Sequence, residues 1–434
     1  MNKILKKVIR GALIGTAGGV LAAILMMSGL LSGFEGQMWD LRVRLMANPD
    51  KASDEIAVIL LDQESLDWGE EAFGLSWPWP RQVMGVIADF CKRAGAKALA
   101  YDVIYSESSF YGTDDDALFA ASLSGSGKAV GAVVLSDSDG MELWPSGLTD
   151  ELPQIEVTDN APGRSYSRVS LPAEDLADAF AMLANVQQRA DPDGIFREAH
   201  LYSFFDGKCV PGLPLALYLL ANDDNSYWMT GKGIVLEEDF VLDAAKILRF
   251  RGPSHTFPTY SAAAVIESEL LAIEGMEPVV VLEELKDKYV LFGYSAPGLK
   301  DLRPSPVDEN GAGVEIHAAT LDNILSRSFM IRVPAVISIG FILLVSIITG
   351  ILGSLFSSAL PAVLLFLAAL IIPFGGGIWG YAAGLKVPVV APLIGLVVTM
   401  VSVSVYNFAT EGKQKRFIKS AFRQYLSPAL VEQL

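Results

Sequence analysis

Three long stretches without a charged side chain constrain how this chain can fold. Residues 11–34 carry no charge over 24 residues, residues 333–385 none over 53, and residues 387–410 none over another 24. Because the hydrocarbon core of a bilayer is about 30 Å thick, roughly 20 apolar residues are enough to cross it once as a helix. The sequence therefore predicts a membrane protein with a large polar segment between its first two apolar stretches.

The lengths of these stretches predict four crossings. The first exceeds the apolar core of a cleavable signal peptide, so we expect a retained anchor. The 53-residue stretch is too long for one crossing and should fold back near residues 353–361, and the glycines at 375–377 should end the helix that follows. We therefore expect transmembrane helices over 11–34, 335–355, 359–374 and 387–408.

Basic residues flank the first and last of these helices. They are Lys3, Lys6, Lys7 and Arg10 before the first, and Lys413, Lys415, Arg416, Lys419 and Arg423 after the last. The positive-inside rule then places both ends in the cytoplasm, as an even number of crossings requires. We expect a multi-pass protein of the bacterial plasma membrane with a cytoplasmic N-terminus (1–10), a periplasmic or extracellular domain (35–332), a helical region (335–408) and a cytoplasmic transmitting segment (409–434).

The charge balance excludes one class of partner. The formal net charge is −17, and because both ends are basic, residues 11–385 together carry −25. A surface this acidic is a poor match for nucleic acid or for anionic lipid headgroups, so we expect no nucleic-acid partner. It could attract cations, although acidity is also a common means of solubility.

Alternating apolar and amphipathic patterns in the polar segment predict an α/β domain. Residues 56–61 and 98–101 are continuously apolar and flank a helical pattern over 81–94, which predicts a β–α–β unit. Further strands are predicted over 128–135, 181–187, 198–204, 247–251 and 289–293, and further helices from 114, over 213–221 and over 314–326. We expect a mixed, mainly parallel sheet covered by helices.

Polar residues follow three of the predicted strands. Asp62 and Asp102 end two of them, and the loop 293–301, with Ser295 and Asp301, follows a third. Ligands of parallel sheets bind outside the carboxyl ends of the strands, which makes these four residues candidate ligand contacts. The alternative is structural, because Asp commonly ends strands by forming Asx-turns and helix caps.

The segment 77–81 reads Trp-Pro-Trp-Pro-Arg and allows two interpretations. In one, the indole of Trp79 and the guanidinium of Arg81 form part of a ligand site. In the other, the aromatic side chains cover the edge of the sheet and Arg81 bridges to Asp62 or Asp102. The second proline lies just before a predicted helix, where proline fits the first turn.

The sequence predicts no catalytic residue, metal or cofactor. The three histidines (His200, His255 and His317) lack zinc-site spacing, and residues 293–297 lack the last glycine of a nucleophile elbow. No charged residue lies in the four predicted crossings, which argues against a transport path. Cys91 and Cys209 are too few for a disulfide framework, and whether they form a bridge stays open.

Short motifs along the chain resemble those of the second type of CHASE domain, an extracellular sensory module of bacterial cyclases and histidine kinases. They occur in order at 39–44, 59–66, 79–81, 94–97, Asp102, 193–195, Arg197, 249–252, 291–293, Asp301 and 313–318. The resemblance covers roughly residues 35–408 and implies a sensor of an unspecified ligand or protein. Arg251, inside one motif, joins Asp62, Trp79, Arg81, Asp102, Ser295 and Asp301 as a candidate ligand contact.

The last residues resemble the segment that precedes the catalytic domain of class III adenylate or guanylate cyclases. Phe422, Tyr425 and Leu426 recur at helical spacing before Pro428, so we expect them to transmit a signal. A generic amphipathic helix beside the membrane is the alternative. The resemblance implies that this chain regulates a cyclase domain, which these residues do not contain, and thereby the synthesis of cAMP.

We therefore expect a transmembrane sensor that relays an extracytoplasmic signal to a cyclase. An envelope scaffold without signalling and the input module of a histidine kinase are the alternatives, the last disfavoured because no histidine follows the final crossing.

Gly11, Gly15 and Gly19 lie on one face of the first helix, where small residues permit close helix contact. We expect a homodimer surrounded by membrane lipid.

Overall fold

The computed structural model describes residues 3–148, 155, 157, 160–222, 227–237, 239–356 and 359–423. The chain divides into two compact units. Residues Met1–Arg42 and Ile331–Leu434 form the first, called here the bundle unit, and Val43–Met330 form the second, called the sheet unit. Each unit has its own packing and is described separately.

The described chain contains twelve α-helices and nineteen strands. The helices are α1 (Lys3–Met27), α2 (Ser32–Met46), α3 (Gln63–Phe73), α4 (Arg81–Ala94), α5 (Thr113–Ser126), α6 (Glu174–Ala177), α7 (Leu213–Asn222), α8 (Ala262–Ile273), α9 (Gly313–Leu325), α10 (Ala335–Leu355), α11 (Ala359–Ala382) and α12 (Val390–Arg423). The strands are β1 (Ile56–Leu61), β2 (Ala98–Tyr101), β3 (Ala129–Ser136), β4 (Ser165–Tyr166), β5 (Arg168–Ser170), β6 (Met182–Asn185), β7 (Glu198–His200), β8 (Tyr202–Phe205), β9 (Lys208–Pro211), β10 (Trp228–Thr230), β11 (Gly233–Glu237), β12 (Phe240–Leu242), β13 (Ala245–Ile247), β14 (Thr259–Ser261), β15 (Tyr289–Tyr294), β16 (Leu302–Arg303), β17 (Gly311–Ala312), β18 (Ile331–Arg332) and β19 (Leu385–Lys386).

Seven strands form the central sheet of the sheet unit. Their order is β14-β1-β15-β2-β3-β5, and β6 also pairs with β3. All the pairs are parallel except β3 with β5, so the mixed, mainly parallel sheet is confirmed. Strands β1 and β2 have the predicted bounds, and they share the sheet with β15 inserted between them.

Two predicted strands do not join the central sheet. The segment predicted over 198–204 forms β7 and β8, which pair antiparallel with β13 and β9. The segment predicted over 247–251 contributes only its first residue to β13. Conversely, the central sheet includes β14, which the sequence did not indicate because its three half-buried residues, Thr259–Ser261, form no apolar run. Short strands give little periodic signal, since two or three residues cannot establish an alternation.

Helices cover both faces of the central sheet. Helices α3, α4, α5 and α8 pack with one another on one face, where Leu99, Tyr101 and Phe292 join their hydrophobic core. On the other face α7 packs on β2, β3 and β6, and α9 packs on β1 and β15. Gly293 makes the close approach of α9 possible, because a Cβ atom there would lie 2.6 Å from the Cβ of Val314.

Four helices of the bundle unit are long and apolar enough to cross a membrane. They are Lys3–Met27, Ala335–Leu355, Leu360–Ala382 and Val390–Thr410. Helix α1 packs on α10 and α12, and α11 packs on α10 and α12. Helix α10 ends at Leu355 and α11 begins at Ala359, both inside the predicted 353–361 segment.

Two predicted boundaries in this region are wrong. The first helix ends at Met27, the chain turns through Gly29 in the left-handed region (φ 77°), and α2 begins at Ser32, so residues 11–34 are not one helix. Helix α11 continues through residues 375–377 to Ala382. Glycine does not end an apolar helix when its neighbours are strongly apolar and the surrounding helices satisfy the backbone.

The small-residue face of α1 packs against α10 of the same chain. A Cβ atom on Gly11 would lie 2.4 Å from the carbonyl oxygen of Gly350, and one on Gly15 would lie 2.5 Å from that of Ser346. The predicted close helix contact is therefore made within one chain. The homodimer stays a prediction and would have to use another surface.

Replacing Gly15 with leucine is expected to separate α1 from α10. The new side chain would overlap backbone atoms of α10, which cannot move aside as a flexible side chain can. We expect a destabilisation of about 1–3 kcal/mol, measured as a lower midpoint of thermal unfolding of the full chain in detergent. Ala17→Leu, on the exposed side of α1, is the matched control and should leave the midpoint unchanged.

Candidate ligand-binding cleft

A cleft of about 430 Å³ lies at the carboxyl ends of the central strands. Its walls come from the residues that follow β2 and β6, from the end of β15 and the loop after it, and from the first turns of α9. Parallel strands bring their carboxyl ends to one edge of a sheet, where connecting loops and helix N-termini surround a space. The volume is within the range of small-molecule sites.

Asp102, Asp301 and His317 form the polar centre of this cleft. Asp102 directly follows β2, and its backbone N–H donates to the carbonyl oxygen of Phe292 at 2.8 Å, which fixes its position. Nε2 of His317, on α9, lies 3.5 Å from Oδ1 of Asp102, and the two side chains are 3 % and 9 % exposed. Two elements far apart in the chain thus place a carboxylate and an imidazole side by side.

Asp301 is held at the start of α9. The backbone N–H of Gly313 donates to its carbonyl oxygen at 2.9 Å. A Cβ atom on Gly313 would lie 3.0 Å from its Oδ1, so a larger residue there would press on the carboxylate. Arg303 approaches the same oxygen at 3.2 Å, with a side chain that is 45 % exposed.

Burial and a like charge act together on Asp301. The pKa of Asp301 is raised from 3.8 to about 6, mainly by burial and secondly by the neighbouring carboxylate of Asp102. Arg303 and His317 oppose the rise. Removing a carboxylate from water and placing it near another negative charge both favour its protonated form. Asp301 therefore changes charge near neutral pH.

Two buried polar atoms in the cleft residues have no hydrogen-bond partner within the described part of the chain. They are Nδ1 of His317 and Oε1 of Gln187, and both residues line the cleft. A buried polar atom without a partner costs roughly 1–3 kcal/mol. Other atoms of this kind, such as Nε1 of Trp39 and Nδ1 of His200, lie elsewhere in the described part of the chain, so this feature does not distinguish the cleft.

The bundle unit contains a second polar arrangement, which we call the Glu35 clamp. The Glu35 carboxylate on α2 accepts hydrogen bonds from the backbone N–H groups of Val389 and Ala391, both at 3.0 Å, at the start of α12. The Arg42 guanidinium donates to the carbonyl oxygen of Val387 at 2.8 Å. A carboxylate at a helix N-terminus satisfies free N–H groups and complements the helix dipole.

A family model for the CHASE2 domain matches residues 17–352 of the chain. The chain belongs to the CHASE2 family. CHASE2 domains are sensory domains, and the four apolar helices indicate a membrane protein. No curated protein and no solved structure matches this chain. The family assignment supports a sensory role but names no ligand.

Two of the seven candidate ligand contacts lie together in the cleft of the CHASE2 domain. Asp102 and Asp301 both line the cleft, and Ser295 does not. The N–H of Ser295 instead donates to the carbonyl oxygen of Leu61 at 3.1 Å. Asp62 caps α3, accepting from the N–H of Ser65 at 2.8 Å, as the structural alternative proposed.

The remaining candidates also have structural contacts. Trp79 is 4 % exposed, and its indole fills the space that a side chain at Gly69 would occupy. Arg81 pairs with Asp116 at 2.6 Å, so the predicted bridge to Asp62 or Asp102 is wrong. Its actual partner is in the acidic first turn of α5.

Arg251 is buried away from the cleft. Its Nε donates to Oδ2 of Asp322 at 2.7 Å, and Nη2 donates to the hydroxyl groups of Ser326 and Ser328 at 2.9 and 2.8 Å. The depression beside Arg251 holds about 30 Å³, which is roughly the volume of one water molecule.

Cys91 and Cys209 are both buried and unbridged.

Sequence reasoning missed His317 and Gln187 as cleft residues. His317 was placed on a helix but not near Asp102, because no local pattern relates residues so far apart. Phe422 lies on α12, whereas Tyr425 and Leu426 lie outside the described residues. Their predicted role in transmission is therefore untested.

Asp301→Asn is expected to stabilise the chain at about pH 7.5 and to have less effect at about pH 5. Folding raises the pKa of Asp301 from 3.8 to about 6. The protonated side chain therefore stabilises the folded state fully below pH 3.8, and this stabilisation is lost as the pH rises through about 6. Above that pH the buried charge costs about 1–2 kcal/mol after allowance for its partial exposure. The amide avoids this cost.

The measurement is the midpoint of thermal unfolding of the full chain in detergent at both pH values. Asp67→Asn, an exposed position outside the cleft, serves as the control for removing one negative charge. An equal effect of Asp301→Asn at both pH values would contradict the electrostatic account.

Proposed function

We propose that this chain is a membrane-spanning sensor that binds a small ligand in the cleft of its sheet unit and relays the binding event to a cytoplasmic class III adenylate or guanylate cyclase domain. The observation that carries the proposal is the cleft, because it combines a cavity of about 430 Å³ with a carboxylate whose pKa is raised. Perturbed ionisable groups in a concave site are typical of binding sites.

The family supports the sensory part of this proposal. A CHASE2 domain is a sensory domain, and the cleft lies inside the matched residues 17–352. Helix α9, which carries His317, is joined to α10 by the short segment 326–334. A ligand that moved α9 would therefore act on a helix directly connected to the bundle unit.

The bundle unit has contacts suited to carrying a change to α12. The Glu35 clamp holds one end of α12, and about halfway along the helix Nη2 of Arg10 donates to Oδ1 of Asn407 at 3.1 Å. The amide of Asn407 donates in turn to the carbonyl oxygen of Gly353 on α10 at 3.3 Å. A shift of α2 or α10 would thereby change the position of α12, and a ligand that favours one packing would shift the population.

We propose that α1, α10, α11 and α12 cross the membrane, with the sheet unit outside the cytoplasm and both termini inside. Support comes from the length of these helices and from the basic residues before α1 and in the last part of α12. The even number of helices agrees with both termini lying on the same side.

Labelling of introduced cysteines with a membrane-impermeant maleimide tests this topology. Phe110, 92 % exposed in the sheet unit, and Lys6, exposed near the start of α1, are suitable positions. Burial raises the pKa of Cys91 and of Cys209 to about 12, so neither native thiol should react. Phe110→Cys should react in intact cells with a permeabilised outer envelope, and Lys6→Cys only after lysis; the reverse pattern would invert the topology.

Fusion to a reporter enzyme tests the relay. The catalytic domain of a class III adenylate cyclase is joined after residue 434, and cAMP is measured in a bacterium that lacks its own cyclase. Glu35→Gln removes the charge and one of the two acceptor oxygens of the Glu35 clamp, a loss of about 1–2 kcal/mol. We expect cAMP output to change by about fivefold or more, because about 1 kcal/mol changes a two-state equilibrium constant by that factor.

Glu70→Gln is the matched control, because it makes the same chemical change at an exposed residue on α3 of the sheet unit. Its output should equal that of the unmodified fusion. If Glu35→Gln and the cleft variant Asp102→Asn both leave cAMP unchanged, the proposed relay to a cyclase is wrong.

A further inference from the structure

We propose that the ligand of the cleft is a small organic cation, an amine or a guanidine attached to an apolar body. This inference rests on the proposed sensory function and specifies the chemical class of its stimulus. It is carried by the two carboxylates that lie together in the cleft and by the aromatic side chains that line it.

The polar residues at the centre of the cleft come from three separate elements. Asp102 follows β2, Asp301 lies in the loop after β15, and His317 lies on α9. Nε2 of His317 lies 3.5 Å from Oδ1 of Asp102. Ammonium and guanidinium groups carry three and five hydrogen-bond donors and no acceptor, so they match a pair of carboxylates better than a hydroxyl or an amide does.

The basic residues of the cleft are not arranged as an anion site. Lys300 is exposed, and the side chain of Arg303 is 45 % exposed and paired with Asp301. An anionic ligand would approach two carboxylates, and burial first and repulsion from Asp102 second already raise the pKa of Asp301. A cation would relieve that repulsion, because an opposite charge within about 4–6 Å favours the ionised carboxylate.

Apolar and aromatic side chains complete the walls. Phe196 and Tyr294 line the cleft together with Ile104, Val134 and Ile316. Aromatic faces attract cations as well as hydrocarbon, so the walls suit both parts of an amphipathic amine. The net charge of −25 over residues 11–385 would raise the local concentration of cations.

Binding of a cation should be linked to pH. The groups that face Asp301 are Asp102 after β2, Arg303 on its own loop and His317 on α9, and Lys300 lies beside it on the rim. A proton and a cationic ligand compete for Asp301. With a pKa of about 6, affinity should fall about tenfold between about pH 7.5 and pH 5.

The experiment uses the full chain in lipid nanodiscs and four probes. Benzylammonium and agmatine are the cations, and benzoate and benzyl alcohol are matched in shape to the first but are anionic and neutral. Binding is followed by the shift in thermal midpoint and by titration calorimetry at about pH 7.5 and about pH 5. At least one cation should bind, whereas benzoate and benzyl alcohol should not.

Three variants locate the binding. Asp102→Asn and Asp301→Asn should each weaken cation binding about tenfold or more, and Asp301→Asn should also remove the pH dependence. Asp67→Asn, exposed and outside the cleft, should bind as the unmodified chain does. Two independent cleft variants guard against the chance that one of them does not fold.

The outcomes separate this inference from the proposed function. If neither cation binds, or if binding is unaffected by both cleft variants, the inference is wrong. Binding of benzoate that depends on the cleft would overturn the cationic class and leave the sensor proposal standing. Cation binding that depends on Asp102 and leaves the cAMP output of the cyclase fusion unchanged would support the ligand class and overturn the relay.

Discussion

The insertion of β15 between β1 and β2 is the constraint on which the rest of the sheet unit depends. All six residues of β15 pair with β1, from Tyr289 opposite Ile56 to Tyr294 opposite Leu61, and four of them also pair with β2. Because all three strands are parallel, their carboxyl ends lie at one edge. The loop after β15 then lies beside the end of β2, and the two cleft carboxylates become neighbours.

Charged groups that are buried elsewhere in the sheet unit have close partners. Arg81 lies 2.6 Å from Asp116, and Arg251 lies 2.7 Å from Asp322. Burying a charge is costly unless an opposite charge and hydrogen bonds compensate for the loss of water. The carboxylates of the cleft also have partners, His317 at 3.5 Å from Asp102 and Arg303 at 3.2 Å from Asp301, but here two carboxylates lie close together. Burial first, and the charge of Asp102 second, raise the pKa of Asp301.

The bundle unit solves a different physical problem. Its apolar helices gain little from burying hydrocarbon if they are surrounded by lipid, so close packing and hydrogen bonds must hold them together. Gly11 and Gly15 allow α1 to approach the backbone of α10, and Glu35 satisfies N–H groups at the start of α12. Such contacts have few alternatives in an apolar medium, and a small displacement of one helix therefore acts on the next.

The sequence by itself determined the local elements: the apolar runs of β1 and β2, the amphipathic α4 and the four long apolar helices, two of them with wrong boundaries. It also indicated Asp102, at the end of a strand, and Asp301, in the loop after another strand. Only the tertiary structure decided that β15 separates β1 from β2, that Arg81 pairs with Asp116, and that His317 joins the cleft. The reason is physical, because the periodic pattern of apolar residues that indicates a helix or a strand, and its buried face, is set by residues close together in the sequence. The pairing of segments some 200 residues apart depends instead on how all the elements pack together.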